Sequence, residues 1–90
     1  MPEREATIAS RVGLHARPAS LFIDAVNQQS VPVTIRKEGG TPLNAGSILS
    51  ILGLGATHGD VVILGAEGAG ADEALETLVA LLETDLDAID

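Results

Sequence analysis

The sequence predicts an α+β fold, an open-faced β-sandwich in which three helices cover one face of a four-stranded antiparallel sheet, in the order β-α-β-β-α-β-α. Segments in which apolar and polar residues alternate are interleaved with segments whose apolar residues recur at helical spacing. Two alternating segments are joined by Glu38-Gly39-Gly40, which is typical of an antiparallel hairpin. A small antiparallel sheet of this kind buries one face against helices and leaves the other in water.

The first part of the chain predicts a strand followed by an amphipathic helix. Residues 5–10 alternate, with Ala6 and Ile8 on one face. A helix is expected from Ala16 or Pro18 to about Asn27, and proline suits its first turn because the missing N–H would be unpaired there. The apolar stripe of this helix is Leu21, Phe22, Ala25 and Val26.

The middle of the chain predicts the hairpin and a short helix. Residues 31–37 alternate again, and after the turn the chain returns through residues 41–44. Residues 47–52 are apolar, open on a capping residue and close at Gly53 and Gly55, which predicts a helix of one or two turns.

The last part predicts a buried strand and a second long helix. Residues 60–66 form the most apolar strand, and a Gly68-Ala69-Gly70 loop follows it. Asp72 is expected to cap the final helix. The residues that repeat at helical spacing in this helix are Leu75, Leu78, Val79 and Leu82.

Composition predicts one domain over residues 1–90 and excludes several function classes. A net charge of −8 and a single aromatic residue, Phe22, disfavour binding to nucleic acid or to anionic lipid. With no cysteine there is no disulfide, thiolate catalyst or cysteine-ligated zinc. No apolar stretch is long enough to span a bilayer. We expect a soluble cytoplasmic protein with no cofactor and no metal. We also expect a monomer, because a single chain is the simplest way to present an exposed site.

The chemistry is concentrated in residues 13–19, Gly-Leu-His-Ala-Arg-Pro-Ala, at a predicted strand-to-helix junction. The first N–H groups of a helix, here at Ala16 and Arg17, have no intrahelical partners, and the helix macrodipole adds positive potential. The guanidinium of Arg17 offers paired donors that match phosphate oxygens. The pattern therefore predicts an anion site beside His15.

The same positive potential gives His15 a chemical role. It disfavours imidazolium and so favours the neutral ring, whose nitrogen can attack phosphorus. Once attached, the phosphoryl group would be stabilised by the same donors. The alternative interpretation makes His15 a helix-capping side chain and Arg17 a solvated surface charge.

Two motifs together resemble the HPr family, the histidine-containing phosphocarriers of the bacterial phosphoenolpyruvate:sugar phosphotransferase system. Residues 13–19 resemble the active-site signature of that family. Residues 44–56, Asn-Ala-Gly-Ser-Ile-Leu-Ser-Ile-Leu-Gly-Leu-Gly-Ala, resemble its second signature, around a regulatory serine, and residues 59–68 resemble its closing strand. The resemblance covers nearly the whole chain.

The resemblance implies a role for each matching residue. His15 would be phosphorylated on Nδ1, Arg17 would assist the phosphoryl group, and Ser47 falls at the regulatory serine. Enzyme I would be the donor and enzyme IIA domains the acceptors, with transcriptional regulators and HPr kinase as further partner classes. The residues expected to border the docking face are Ser20, Ile48, Leu49, Leu52 and Gly53.

Two positions depart from the family pattern. Gly46 precedes Ser47, where the family commonly has lysine or another side chain, and this puts recognition by a serine kinase in doubt. Ser47 can instead serve only as a helix N-cap. Asp24 lies on the first predicted helix, where many relatives carry basic residues.

Three interpretations of function stay open at this point. The first is a carrier, not an enzyme, that accepts a phosphoryl group on His15 and passes it on for sugar uptake. The second is a regulatory binding module of the same fold, and the third is a carrier of a specialised phosphorelay, nitrogen-related or with a dihydroxyacetone kinase. His58, the other histidine, has no neighbouring arginine and is interpreted as a surface residue.

Overall fold

A computed structural model of the chain describes residues 2–14 and 16–86. The elements follow the predicted order, and the predicted fold class is confirmed. Their bounds are β1 (Glu3–Thr7), α1 (Ala16–Asn27), β2 (Val33–Lys37), β3 (Leu43–Asn44), α2 (Ile48–Leu54), β4 (Val61–Ala66) and α3 (Ala71–Leu82).

The four strands form one antiparallel sheet in the order β1-β4-β2-β3. The central strand β4 pairs with both β1 and β2, so that Leu64 lies opposite Arg4 on one side and Ile35 on the other. Because β4 is bonded on both edges, its near-continuous apolar sequence is buried along most of its length. This accounts for its being the most apolar strand in the sequence.

One face of the sheet is packed and the other meets water. Ala6 in β1, Ile35 in β2 and Val62 in β4 are buried, whereas the alternate positions other than Gly65 are partly or fully exposed. On the open face Arg36 reaches across the sheet to the carboxylate of Glu3, at 3.4 Å. The alternation read from the sequence therefore sorts residues to the correct faces.

The core is built almost entirely from aliphatic side chains. Phe22, the one aromatic residue, is fully buried on α1, and Val26 is buried one turn later. The stripe of α3 is buried in the same way, at Leu75, Leu78 and Leu82. Both helices thus turn the predicted faces towards the sheet.

Several local boundaries differ from the prediction, and β2 and β3 each begin two residues later than expected. β1 begins at Glu3 and ends at Thr7, earlier than expected. α2 runs through Gly53 and ends only at Gly55, whose left-handed backbone (φ 67°) closes the helix. α3 is capped by Gly70 rather than by an aspartate, because the chain turns at Gly70 with φ 88° and enters the helix one residue before Asp72.

Candidate functional site

Residues 8–14, here called the site loop, connect β1 to α1. His15 itself lies outside the described residues, but the chain is described on both sides of it. Leu14 is buried and its N–H donates to the carbonyl of Ala56 at 3.0 Å. α1 then begins at Ala16. The residue before His15 is therefore fixed to the segment that follows α2.

Gly13 is required by the geometry of the site loop. Its N–H donates to the carbonyl of Ser10 at 3.0 Å, and its φ is 74°. A Cβ at this position would lie 2.5 Å from the carbonyl oxygen of Ala56 and 2.8 Å from the Cα of Thr57. Only glycine permits both the left-handed backbone and this close approach.

The segment of residues 56–60 supports the site loop from one side. Ile8 exchanges two backbone hydrogen bonds with it, donating to the carbonyl of Asp60 at 2.9 Å and accepting from the N–H of Gly59 at 2.8 Å. The carboxylate of Asp60 accepts from the N–H and the hydroxyl of Thr57, at 2.9 and 3.0 Å. These bonds, helped by Lys37 at 3.6 Å, hold the pKa of Asp60 below its ordinary value. The turn is therefore closed at neutral pH.

His58 belongs to this supporting segment. Its side chain is exposed, and Nδ1 lies 3.2 Å from the carbonyl oxygen of Ala9. Because a carbonyl can only accept, Nδ1 carries the proton and donates in this contact. The Nδ1 lone pair of His58 is thus not available for attack on phosphorus.

Arg17 differs from the other basic residues of the chain. It lies exposed in the first turn of α1, and that turn contains no acidic residue. Within residues 2–14 and 16–86, its guanidinium has no hydrogen-bond or ion-pair partner. The other four cations each pair with a carboxylate: Arg4 with Asp72, Arg11 with Asp85, Arg36 with Glu3 and Lys37 with Asp60. A free guanidinium beside the positive end of a helix is suited to binding an anion.

Helix α2 presents an apolar surface to water. Ile48, Leu49 and Leu52 are 44%, 81% and 41% exposed, and Gly53 is also exposed. Ser20 is exposed on α1, a helix that packs against α2. All five residues predicted to border a docking face therefore lie at the surface.

Val12, in the site loop, is a further exposed apolar residue, at 54%. Sequence reasoning missed it because a single apolar side chain in a turn has no periodic context. The only available signal was its position between a charged residue and a glycine, three residues before His15.

Ser47 is the N-cap of α2. Its extended backbone (φ −105°, ψ 124°) precedes the helix, and its hydroxyl accepts from the N–H of Ser50 at 3.4 Å. The capping interpretation of this serine is therefore confirmed.

Residues 2–14 and 16–86 also bear on two other kinds of feature, a membrane-spanning helix and a metal site. No helix there has the length and apolar content needed to cross a membrane. The same stretches contain no group of three or more His, Cys, Asp or Glu side chains placed to hold a metal ion.

Comparison with known proteins identifies the family. Residues 2–84 match the family model described as the PTS HPr component phosphorylation site. The chain belongs to the HPr family. It is 45% identical to the phosphocarrier protein HPr of Streptomyces coelicolor, over 99% of this chain and 96% of that protein. It is 34% identical to the phosphocarrier protein NPr of Proteus mirabilis, over 93% of each chain.

Solved structures agree with this assignment. A crystal structure of HPr-C-His from Thermoanaerobacter tengcongensis superimposes with a TM-score of 0.87 at 39% identity and covers 97% of both chains. The resemblance drawn from the two motifs is thereby confirmed. HPr proteins are phosphocarriers of the phosphotransferase system and not enzymes.

The structure gives a local reason for the glycine at position 46, which departs from the HPr pattern. A Cβ at Gly46 would lie 2.9 Å from Oδ1 of Asn27, at the C-terminal end of α1. The N–H of Gly46 donates to Oδ1 of Asn44 at 2.9 Å. A side chain at this position would therefore displace the amide of Asn27, whereas glycine leaves it in place.

The geometry of the site loop predicts a large effect of Gly13→Ala. The left-handed backbone alone costs about 1–2 kcal/mol for a residue with a Cβ. The approach to Ala56 and Thr57 involves backbone atoms that cannot rotate away, so we expect a further ~1–3 kcal/mol. Chemical denaturation followed by circular dichroism measures both losses.

Gly39→Ala is the matched control, because Gly39 has φ 79° but no atom within 4 Å of its Cβ position. We expect this variant to lose only the conformational part. Equal losses in the two variants would mean that the contact with residues 56 and 57 contributes nothing.

Proposed function

We propose that this phosphocarrier accepts a phosphoryl group on His15 from enzyme I and passes it to enzyme IIA components for sugar uptake, in the cytoplasm. The observation that supports this role most directly is the guanidinium of Arg17, which has no partner among the described residues. It lies at the start of α1, two residues after His15, whereas the other basic side chains are paired with carboxylates. A guanidinium that no described carboxylate neutralises, at a helix start in an acidic protein, offers a place for an incoming anion.

The proposed chemistry needs a neutral imidazole and an anion cradle. Nδ1 of His15 attacks phosphorus, the new P–N bond forms as the bond to the donor's leaving group breaks, and the reverse exchange delivers the group to the acceptor. The positive end of α1 disfavours imidazolium before transfer. Afterwards the first N–H groups of α1, at Ala16 and Arg17, and the guanidinium stabilise the phosphoryl oxygens.

The docking surface in this proposal is the apolar face of α2 with its neighbours. It is uncharged and exposed, which fits a partner surface that covers it only transiently. We assign to it the predicted residues and add Val12, which is exposed in the same loop that leads to His15. The proposed members are Val12, Ser20, Ile48, Leu49, Leu52 and Gly53.

A cleft large enough for a small substrate lies away from the site loop. This cleft of about 320 Å³ is at the other end of α1, among residues such as Val26, Asn27 and Asn44. None of its lining residues belongs to the site loop. This supports a carrier whose reacting group enters the active sites of larger partners and which works as a monomer.

The regulatory module and the specialised phosphorelay remain the alternatives. The higher identity to an HPr, 45%, than to an NPr, 34%, favours the sugar branch. A panel of purified enzyme IIA acceptors tests this choice, because acceptor preference is a difference of affinities set by a few contacts. Transfer to nitrogen-branch acceptors in preference to sugar-specific ones would overturn it.

The first prediction concerns the phosphorylated residue. Incubation with phosphoenolpyruvate and a cognate enzyme I is expected to add one acid-labile, base-stable phosphoryl group, which intact-mass spectrometry detects. His15→Ala is expected to abolish the addition. His58→Ala is the matched control and is expected to label normally, since Nδ1 of His58 is bonded to the carbonyl of Ala9. Labelling that survives in the His15 variant and disappears in the His58 variant would refute the assignment.

The second prediction concerns Arg17. Arg17→Ala is expected to slow phosphoryl transfer by about tenfold or more, because a donor to the transferring group is lost. Its melting temperature should change little, because an exposed cation without a partner contributes little to stability. Rapid-quench kinetics and thermal unfolding measure the two effects.

Arg4→Ala provides the control, because Arg4 is also an exposed surface arginine but pairs with Asp72 at 3.4 Å. Its transfer rate is expected to equal that of the unmodified protein. A marked loss of stability with normal transfer in Arg17→Ala would make Arg17 a structural residue.

The third prediction concerns the docking surface. Leu49→Glu is expected to raise the KM of enzyme I for this protein, because a charge placed in an apolar contact must be desolvated. Ser47→Asp is expected to slow transfer as well, because a charge at the edge of the apolar surface must be desolvated when a partner covers it. Aspartate caps helices as well as serine does, so its melting temperature should be unchanged or higher.

We expect Leu49→Glu and Ser47→Asp to retain the fold, and thermal unfolding, measured together with the transfer kinetics, checks this. The matched control is Val61→Glu, a partly exposed apolar residue on the strand β4, outside the proposed surface. Unchanged KM values in both α2 variants would place the partner surface elsewhere.

A further inference from the structure

Ser10 is the one polar residue buried within the described parts of the chain, at 1% exposure. Its hydroxyl oxygen accepts from the backbone N–H of Leu86 at 2.9 Å, and the side chain of Leu86 is itself fully buried. Burying a polar group costs free energy unless the group is hydrogen-bonded. The hydrogen bond between the hydroxyl of Ser10 and a distant part of the chain is therefore a specific contact.

The bond belongs to a series of contacts between residues 82–86, here called the C-terminal strap, and the start of the site loop. The carbonyl of Leu82 accepts from the N–H of Ala9 at 3.0 Å. The carboxylate of Asp85 pairs with Arg11 at 3.4 Å. Just before the loop, the carboxylate of Glu83 accepts from the N–H of Thr7 at 3.3 Å. The strap therefore follows the chain from the end of β1 to Arg11.

We propose that the C-terminal strap positions the site loop for phosphoryl transfer and that Ser10 is a positioning residue. The inference rests on the proposed role of His15. Residues 56–60 bond the site loop at Ile8, Ala9 and Leu14. The strap bonds it at Ala9, Ser10 and Arg11. The loop is thus held from two separate parts of the chain.

Support from two sides matters because the site loop is short and leads directly to His15, the proposed reacting residue. Only four residues separate Ser10 from His15, and the turn between Ser10 and Gly13 is closed by the backbone hydrogen bond from Gly13 to Ser10. Displacements of about 1 Å in a reacting group can cost ~100-fold in rate. Loss of the strap would let Ser10 and Arg11 shift while the bond from Leu14 to Ala56 still holds the other end.

Ser10→Ala tests the proposal in the full-length protein, with enzyme I and phosphoenolpyruvate. The substitution removes the acceptor for the N–H of Leu86 and keeps the buried volume close to its original size. We expect kcat for phosphorylation of this protein to fall about tenfold while KM changes by less than about threefold, because the α2 surface is untouched. NMR titration of the His15 ring is expected to show an altered pKa in the same variant.

Leu86→Val keeps the backbone N–H that donates to Ser10 and only reduces the buried side chain of the strap. This variant replaces Ser10→Ala in the test if Ser10→Ala does not fold. Leu78→Val is the matched control, because Leu78 is an equally buried leucine on α3 that makes no contact in the series described. Both leucine variants should lose stability to a similar degree. Only Leu86→Val should lower kcat, by a few-fold.

Ser10→Ala could lower the melting temperature and leave both kcat and the titration of His15 unchanged. That result, in Ser10→Ala or in Leu86→Val where that variant is used, would make the strap purely structural and overturn the proposal. Equal kinetic losses in Leu86→Val and Leu78→Val would overturn it too. Failure of the unmodified protein to be phosphorylated on His15 is a separate result, which refutes the proposed function itself.

Discussion

The close approach of Gly13 to Ala56 and Thr57 is the constraint on which the rest of the site depends. It brings the loop that precedes α1 against the segment that follows α2, so two parts of the chain distant in sequence meet in backbone contact. The bond from Leu14 to Ala56 then sets where α1 starts. Had residue 13 a side chain, the start of α1 and the end of α2 would have to separate.

This constraint also explains why the apolar surface of α2 and the start of α1 occur together. α2 ends at Gly55, and the next residue, Ala56, is buried and bonded to Leu14. The exposed leucines of α2 are therefore held at a fixed distance from the position where an anion would bind. In the proposed function, a partner that covers α2 faces the start of α1, which is the orientation that group transfer between two proteins requires.

The sequence predicted the element order, the buried faces and the surface position of the α2 residues, because each rests on periodicity that tertiary packing did not override. Caps were harder. Asp72 has good capping chemistry, yet Gly70 takes that position because the chain must reverse there with a positive φ. Residues 47–52 predict a helix that closes at Gly53 and Gly55, but α2 continues through Gly53 and ends at Gly55, and no local rule distinguishes two glycines two residues apart.

What sequence could not supply were the contacts between distant segments. Nothing in the local pattern links Ser10 to Leu86, since they are 76 positions apart in the sequence. The lack of a partner for Arg17 among the described residues was also not predictable, because it follows from where the carboxylates of the other four pairs lie in space. The motif indicated which residues matter, and the fold determines which of them have partners.

The distribution of charge distinguishes the α2 surface from the rest of the protein surface. Of the ten acidic residues after position 37, those within the described residues lie in turns, in α3 and in the C-terminal strap, and none lies on α2. The proposed docking surface is therefore a neutral apolar area within an acidic protein, and Arg17, which has no partner among the described residues, lies at the nearby start of α1. Acidity elsewhere speeds encounter with partners whose charge is complementary, and the apolar area tolerates several partners because shape and burial, not fixed ion pairs, dominate its contacts. A carrier that must bind both a donor and its acceptors needs that combination, since a surface matched to one partner by ion pairs would reject the next.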